Sequence, residues 1–130
     1  MIFVDTNVFM YAVGGEHPLR KPAQQFFDRG LGKTSRARLC TSADVLQELL
    51  HVYLPVQRMQ TLDAALQLVD GVIDEVWPVE GDDVRLARAL ADIHSGLGAR
   101  DLLYIACCKR REVTEIKTYD RALGAVMSAK

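Results

Sequence analysis

Long apolar runs are missing from this chain of 130 residues. A membrane-spanning helix needs roughly 20 consecutive apolar residues, and the most apolar stretch, residues 102–108, is bounded by Asp101 and Lys109. The chain therefore reads as a soluble domain with no membrane partner. Cysteine is scarce as well. Cys40, Cys107 and Cys108 are odd in number, and none has Cys-x-x-Cys or Cys/His zinc spacing, which excludes a disulfide framework and a structural zinc site. Such cysteine usage points to a reduced, cytoplasmic protein. A secretory leader is not recognisable either, because Met1 runs straight into Ile2, Phe3, Val4 and Asp5 without a basic start or a cleavage site. The mature chain is expected to begin where the sequence does. Finally, neither sign of charge dominates: 16 Lys and Arg face 17 Asp and Glu, a formal net charge of -1. A polyanion partner must then be held by a local site rather than by the protein's overall field.

What is present is the make-up of one globular domain spanning residues 1–130, with 49% hydrophobic residues, 25% charged residues and no linker-like or repetitive tract. Residues 2–4 form a short apolar run cut off by Asp5, Thr6 and Asn7, after which Val8, Phe9, Tyr11 and Ala12 recur at helical spacing. This is the pattern of a buried strand feeding a helix that Gly14 and Gly15 end. A second helix is expected over residues 18–29, with Ala23, Phe26 and Phe27 inward and Gly30 as its stop. After a basic loop at 33–38, residues 39–41 read as a strand, and Ser42 as the N-cap of a helix over 43–53 that Pro55 breaks. A further helix is expected over 56–69, closed by Gly71, and a third strand over 75–79. Beyond Gly81, Asp82 and Asp83 favour a helix start, and the stripe from Val84 to Ile93 is its apolar face. Residues 99–111 are apolar on nearly every side between 102 and 108, the mark of a helix buried in the middle of the fold. A fourth strand over 113–118 leads through Tyr119, Asp120 and Arg121 into a final short helix.

Strands alternating with helices imply a parallel sheet covered on both faces, a three-layer α/β/α architecture. Ligands of such sheets bind beyond the carboxyl ends of the strands, where Asp5 and Asp120 fall. Asp101 projects between Ile105 and Cys108 on a helix with almost no polar face, so its carboxylate is partly desolvated. Capping, or pairing with Arg100 or Arg121, is the structural alternative. Glu48 lies at the rim of its helix beside Val52, and Asp5 and Asp120 would each pass as helix caps. If the strands are parallel, all four acids can converge on one sheet edge, where close carboxylates raise one another's pKa unless a cation offsets them. Their hard, all-oxygen character suits Mg²⁺ or Mn²⁺, which is phosphodiesterase-type chemistry.

Four segments in this order, Ile2-Phe3-Val4-Asp5-Thr6-Asn7, Glu48-Leu49-Leu50, Asp101-Leu102-Leu103-Tyr104-Ile105-Ala106 and Thr118-Tyr119-Asp120, resemble a PIN-domain ribonuclease. More narrowly they resemble a VapC toxin of the VapBC toxin–antitoxin systems. The resemblance covers almost the whole chain. It implies a PIN-like α/β/α fold with four or five parallel strands, and Asp5, Glu48, Asp101 and Asp120 as catalytic and metal-binding acids for one or two Mg²⁺ or Mn²⁺ ions. Thr6, Asn7 and Thr118 match positions that orient those carboxylates by hydrogen bonds. It further implies an RNA substrate, a homodimer and a VapB-like antitoxin that occludes the acidic site.

Arg100, Lys109 and Arg121 are candidate contacts for RNA phosphates, and Arg110, Arg111 and Lys117 also stand as basic residues near the predicted site. Glu48-x-x-His51 has the spacing of a di-iron motif but lacks the second copy that such bundles need. His17, His51 and His94 read as surface histidines. A haloacid-dehalogenase-type phosphatase would require an acid where this chain has Asn7, and an idle PIN-like binding module would not require the full set of acids.

Overall fold

A computed structural model describes residues 1–29 and 38–128; the expected stop at Gly30 and most of the basic loop lie outside them. Four short strands, β1 (Ile2–Val4), β2 (Leu39–Ser42), β3 (Glu75–Trp77) and β4 (Glu115–Lys117), form one sheet in the order β3-β2-β1-β4. All three pairings are parallel, with Val4 opposite Lys117, Phe3 opposite Cys40 and Ser42 opposite Trp77. The chain steps outward from β1 to β2 to β3 through α1 (Thr6–Val13), α2 (Arg20–Arg29), α3 (Ala43–Tyr53) and α4 (Met59–Val72). It then reverses through α5 (Gly81–Ala91) and α6 (Ala99–Arg110) to place β4 on the free side of β1, and closes with α7 (Arg121–Ser128). Right-handed crossovers made in opposite directions put their helices on opposite faces. Accordingly α1 packs against α2, α3 and α4, while α5 and α6 pack on each other. The reversal between β1 and β4 is the sheet's topological switch point, where doubly covered sheets open a crevice.

The expected four-strand, three-layer α/β/α architecture is what forms, with no fifth strand among the described residues. Several boundaries differ from the sequence reading for local reasons. The helix expected from residue 56 starts at Met59, because residues 54–57 make a turn in which Gln57 takes a left-handed φ of 56° and Arg58 N–H reaches Tyr53 C=O at 3.0 Å. The same helix runs through Gly71 to Val72. A glycine with open space around it costs a helix only about 1 kcal/mol. Ser42 occupies the N-cap of α3 but makes no capping bond, and its buried Oγ has no hydrogen-bond partner.

The core centres on Phe3, whose ring lies 5.3 Å from Tyr104 of α6 and 5.8 Å from Trp77 of β3. Phe9 and Phe27 stack at 5.1 Å and join α1 to α2. Cys40, Cys107 and Cys108 are buried in this core, and burial pushes the Cys40 and Cys107 thiols up to about 12, far from a reactive thiolate. No helix among the described residues is long and apolar enough to cross a membrane.

Asp83 is fully buried beneath the far end of α6. Its Oδ2 accepts the Glu80 N–H at 2.7 Å, closing the first turn of α5, while Arg110 and Arg111 each donate to its Oδ1 at 2.8 Å. Arg111 also reaches Pro78 C=O and lies over the Trp77 ring, 5.1 Å from its centroid. Burial alone would raise the Asp83 pKa, but the bonds from Arg111, the Glu80 N–H and Arg110 outweigh it and hold the carboxyl well below the usual range. A depressed folded pKa stabilises the native state above the unfolded value, near 3.9, and that stabilisation drains away as pH falls below it. Replacing the carboxylate removes charge-assisted hydrogen bonds from Arg110 and Arg111, although both keep Glu80 as a second partner. Asp83→Asn is therefore expected to cost about 2 kcal/mol at pH 7, with the deficit shrinking below pH 4 in urea titrations run across pH. A deficit that stays constant with pH would contradict this.

Candidate active site

Asp5 ends β1 and becomes the N-cap of α1, its Oδ1 accepting the Thr6 N–H at 2.6 Å. It is only 5% exposed. Its other oxygen accepts from the Thr118 hydroxyl at 2.7 Å, across the β1–β4 junction. Thr118 Oγ1 in turn accepts the Asp120 N–H at 2.9 Å and lies 3.4 Å from Asn7 Nδ2, while Asn7 Oδ1 accepts the Tyr119 N–H at 3.2 Å. On the other side the Thr6 hydroxyl and the Tyr104 phenol share a hydrogen bond of 2.9 Å. Asp5 is thus gripped from β4, and the residue after it is tied to α6.

α6 runs antiparallel to the strands, so its first turn, carrying Arg100 and Asp101, returns to the carboxyl edge of the sheet. There Asp5, Thr6, Asn7, Met10, Glu48, Arg100, Asp101 and Asp120 line one pocket of about 110 Å³. All four acids expected from the sequence are brought together, as are Thr6, Asn7 and Arg100, with Thr118 bonded behind Asp5. Lys109 and Arg121 do not line the pocket. Lys109 lies eight residues along α6 from Asp101, about 12 Å at the helical rise. Arg110 and Arg111, at the same end, are held by Asp83.

The capping readings of Asp5 and Asp120 hold alongside their place in the pocket, since Asp120 Oδ1 accepts the Leu123 N–H at 3.1 Å at the start of α7. Arg100 forms its ion pair with Glu48 rather than with Asp101, and Glu48 is more buried than a rim residue, its side chain 16% exposed. Burial raises the Asp5 pKa, and repulsion from Asp120 adds to the rise, against the bonds from Thr118 and Thr6. Burial likewise raises Asp101, reinforced by the charges of Asp120 and Asp5. Three carboxylates therefore act on one another in one half-closed space. Among the described residues no group of three or more His, Cys, Asp or Glu side chains is gathered closely enough to hold an ion as placed. Mg²⁺ is usually held through one or two carboxylates and several waters, so this donor set fits such an ion in a wet site rather than a closed protein cage.

The PIN domain family matches residues 2–127. The chain belongs to the PIN-domain family. It is 58% identical over 125 residues to Ribonuclease VapC23 of Mycobacterium tuberculosis, an alignment covering 96% of this chain and 97% of that protein. It is 37% identical over 130 residues to Ribonuclease VapC13 of the same organism, covering 100% and 98%. These relatives place it among the VapC proteins of the family. In fold it is similar to M. tuberculosis VapC20, described as a sarcin-ricin loop cleaving toxin, with a TM-score of 0.77 at 18% identity over 97% of this chain and 95% of that one. A toxin–antitoxin complex from Klebsiella pneumoniae aligns with a TM-score of 0.66 at 16% identity, over 92% and 87%.

Three features of this PIN domain escaped the sequence reading. Met10 lines the pocket because it stands one turn after Asn7 on α1. Tyr104 reaches Thr6 although 98 residues separate them; its place three residues after Asp101, on the same face of α6, was the available signal. Asp44, in the first turn of α3, has its carboxyl raised by burial and by the Glu48 charge, and so adds to the acidity of the surroundings.

A carboxyl whose folded pKa is raised opposes folding when ionised, and the penalty fades as pH falls toward its unfolded value. Asp101→Asn is expected to raise the thermal midpoint at pH 7 in divalent-free buffer, by roughly 4 °C for each kcal/mol of repulsion removed. The gain should vanish by about pH 4. Calorimetry showing no gain at pH 7 would refute the repulsion argument. Thr118→Val removes a hydrogen bond to a charged group and should cost about 2 kcal/mol, with the Asp5 carboxyl rising further in an NMR titration.

Proposed function

We propose that this VapC-family PIN domain is an Mg²⁺- or Mn²⁺-dependent endoribonuclease and the toxin of a VapBC pair, arresting growth in the cytoplasm until its antitoxin neutralises it. The supporting observation is the convergence of Asp5, Glu48, Asp101 and Asp120 on one pocket at the sheet's switch point, in a chain related over 96% or more of its length to named VapC ribonucleases. Asp5, Asp101 and Asp120 would hold the ion, with Glu48 completing the set. When bound, a divalent ion lowers the pKa of its water and stabilises charge on the phosphodiester. The chain's own residues supply orientation. Thr118 and the Thr6 N–H fix both oxygens of Asp5, so the carboxylate is aimed before any ligand arrives. Arg100, half-exposed beside Glu48, is placed to exchange that carboxylate for a substrate phosphate oxygen. Asn7 is engaged with Thr118 and Tyr119 and holds no acid, which removes the group a dehalogenase-type phosphatase needs.

Hydrolysis of this kind leaves a 5′-phosphate and a 3′-hydroxyl. We further propose that the chain acts as one PIN domain in a homodimer, and that a VapB-like antitoxin covers the acidic pocket. The purified protein is expected to cleave RNA only with Mg²⁺ or Mn²⁺, with Asp5→Asn and Asp101→Asn each reducing the rate at least 100-fold, about 2.7 kcal/mol of barrier. Equal cleavage by wild type and both variants, or a 2′,3′-cyclic phosphate at the new ends, would overturn the assignment. Induction without an antitoxin should stop growth for the wild type and not for Asp101→Asn.

A further inference from the structure

Beside the acidic pocket runs a row of rings that the acids do not explain. α1 carries Asn7 in the pocket and Tyr11 one turn further along the same stripe, about 6 Å away. The Tyr11 ring meets the Tyr119 ring edge-on at 5.6 Å, and Tyr119 is the residue before Asp120. On its other neighbour, Tyr11 packs against the imidazole of His17 with centroids 4.5 Å apart and planes inclined by 33°. Lys117 extends its ammonium over the Tyr119 ring, 4.9 Å from the centroid, and over Phe26 at 5.4 Å.

His17 is exposed, yet its ring is held twice, by the Tyr11 face and by Nδ1, which accepts the Leu19 N–H at 3.0 Å. A flat side chain fixed in advance loses little entropy when something stacks on it. Aromatic surfaces next to a cation are how single-stranded nucleic acid is bound, because every base has a π-face while the cation meets the backbone.

We propose that the His17 imidazole, backed by Tyr11, is a platform on which an unpaired nucleobase stacks while its strand lies in the acidic pocket. This rests on the RNA-cleaving reading of the pocket. The competing role for His17 is local, as the acceptor that shapes the turn into α2, and two substitutions separate the roles. His17→Asn keeps an acceptor for Leu19 and loses the ring; His17→Phe keeps the ring and loses the acceptor.

Fluorescence anisotropy with a fluorescein-labelled single-stranded RNA oligonucleotide and the full chain in EDTA provides the test. His17→Asn is expected to weaken binding about tenfold, His17→Phe to stay near wild type, and the KM for cleavage to follow binding while kcat holds. Binding by His17→Asn equal to wild type, or equal losses in both variants, overturns the platform. If wild type cleaves RNA and His17→Asn binds RNA as tightly as wild type, the platform alone falls. If binding follows the ring but wild type does not cleave, the nuclease reading falls and the platform stands.

Discussion

The Thr118 hydroxyl donating to the Asp5 carboxylate at 2.7 Å is the bond through which the first and last strands come to share one site. Asp5 is almost fully buried and surrounded by other acids, an arrangement that opposes ionisation. What keeps it in place is the cradle of the Thr6 N–H on one oxygen and Thr118 on the other. Thr118 can serve because it is itself oriented by the Asp120 N–H and Asn7. The β1–β4 pairing, the turn into α7 and the start of α1 therefore all depend on the same few polar atoms.

α6 divides its labour along its length. Its first turn brings Asp101 and Arg100 to the pocket, its middle is buried against Phe3 through Tyr104, and its last turn is clamped by Asp83 from the first turn of α5. Like charges crowd one end and opposite charges are compensated at the other. The stabilising cluster at the far end, together with the apolar middle, holds the helix where its acidic start would otherwise be pushed outward. The near-neutral total charge thus hides a polarised layout in which acids gather at the pocket while the cations of Arg110 and Arg111 are already engaged elsewhere.

Much of this could be read along the chain. Asp5 and Asp120 interrupt apolar strands, and Asp101 opens a helix with no polar side to spare, so their unusual positions are visible as breaks in a pattern. The Arg100–Glu48 pair was not visible, because ion pairing between surface-length side chains follows from which helices are neighbours, and α3 and α6 are separated by three other elements in sequence. For the same reason Arg110 and Arg111 could be counted as cations but not assigned to Asp83. The late start of α4 turned on one left-handed residue, Gln57, a conformation that its side chain does not advertise.

By itself the sequence determined the alternation of strands and helices, the parallel three-layer architecture and the identity of the acids, because periodicity and burial cost are local properties of residue order. Only the tertiary structure decided which hydroxyl holds Asp5, which acid takes Arg100, and that the Tyr11 ring meets both His17 and Tyr119. Those outcomes depend on crossover direction and on packing between residues as far apart as Asp5 and Thr118, distances that no local pattern encodes.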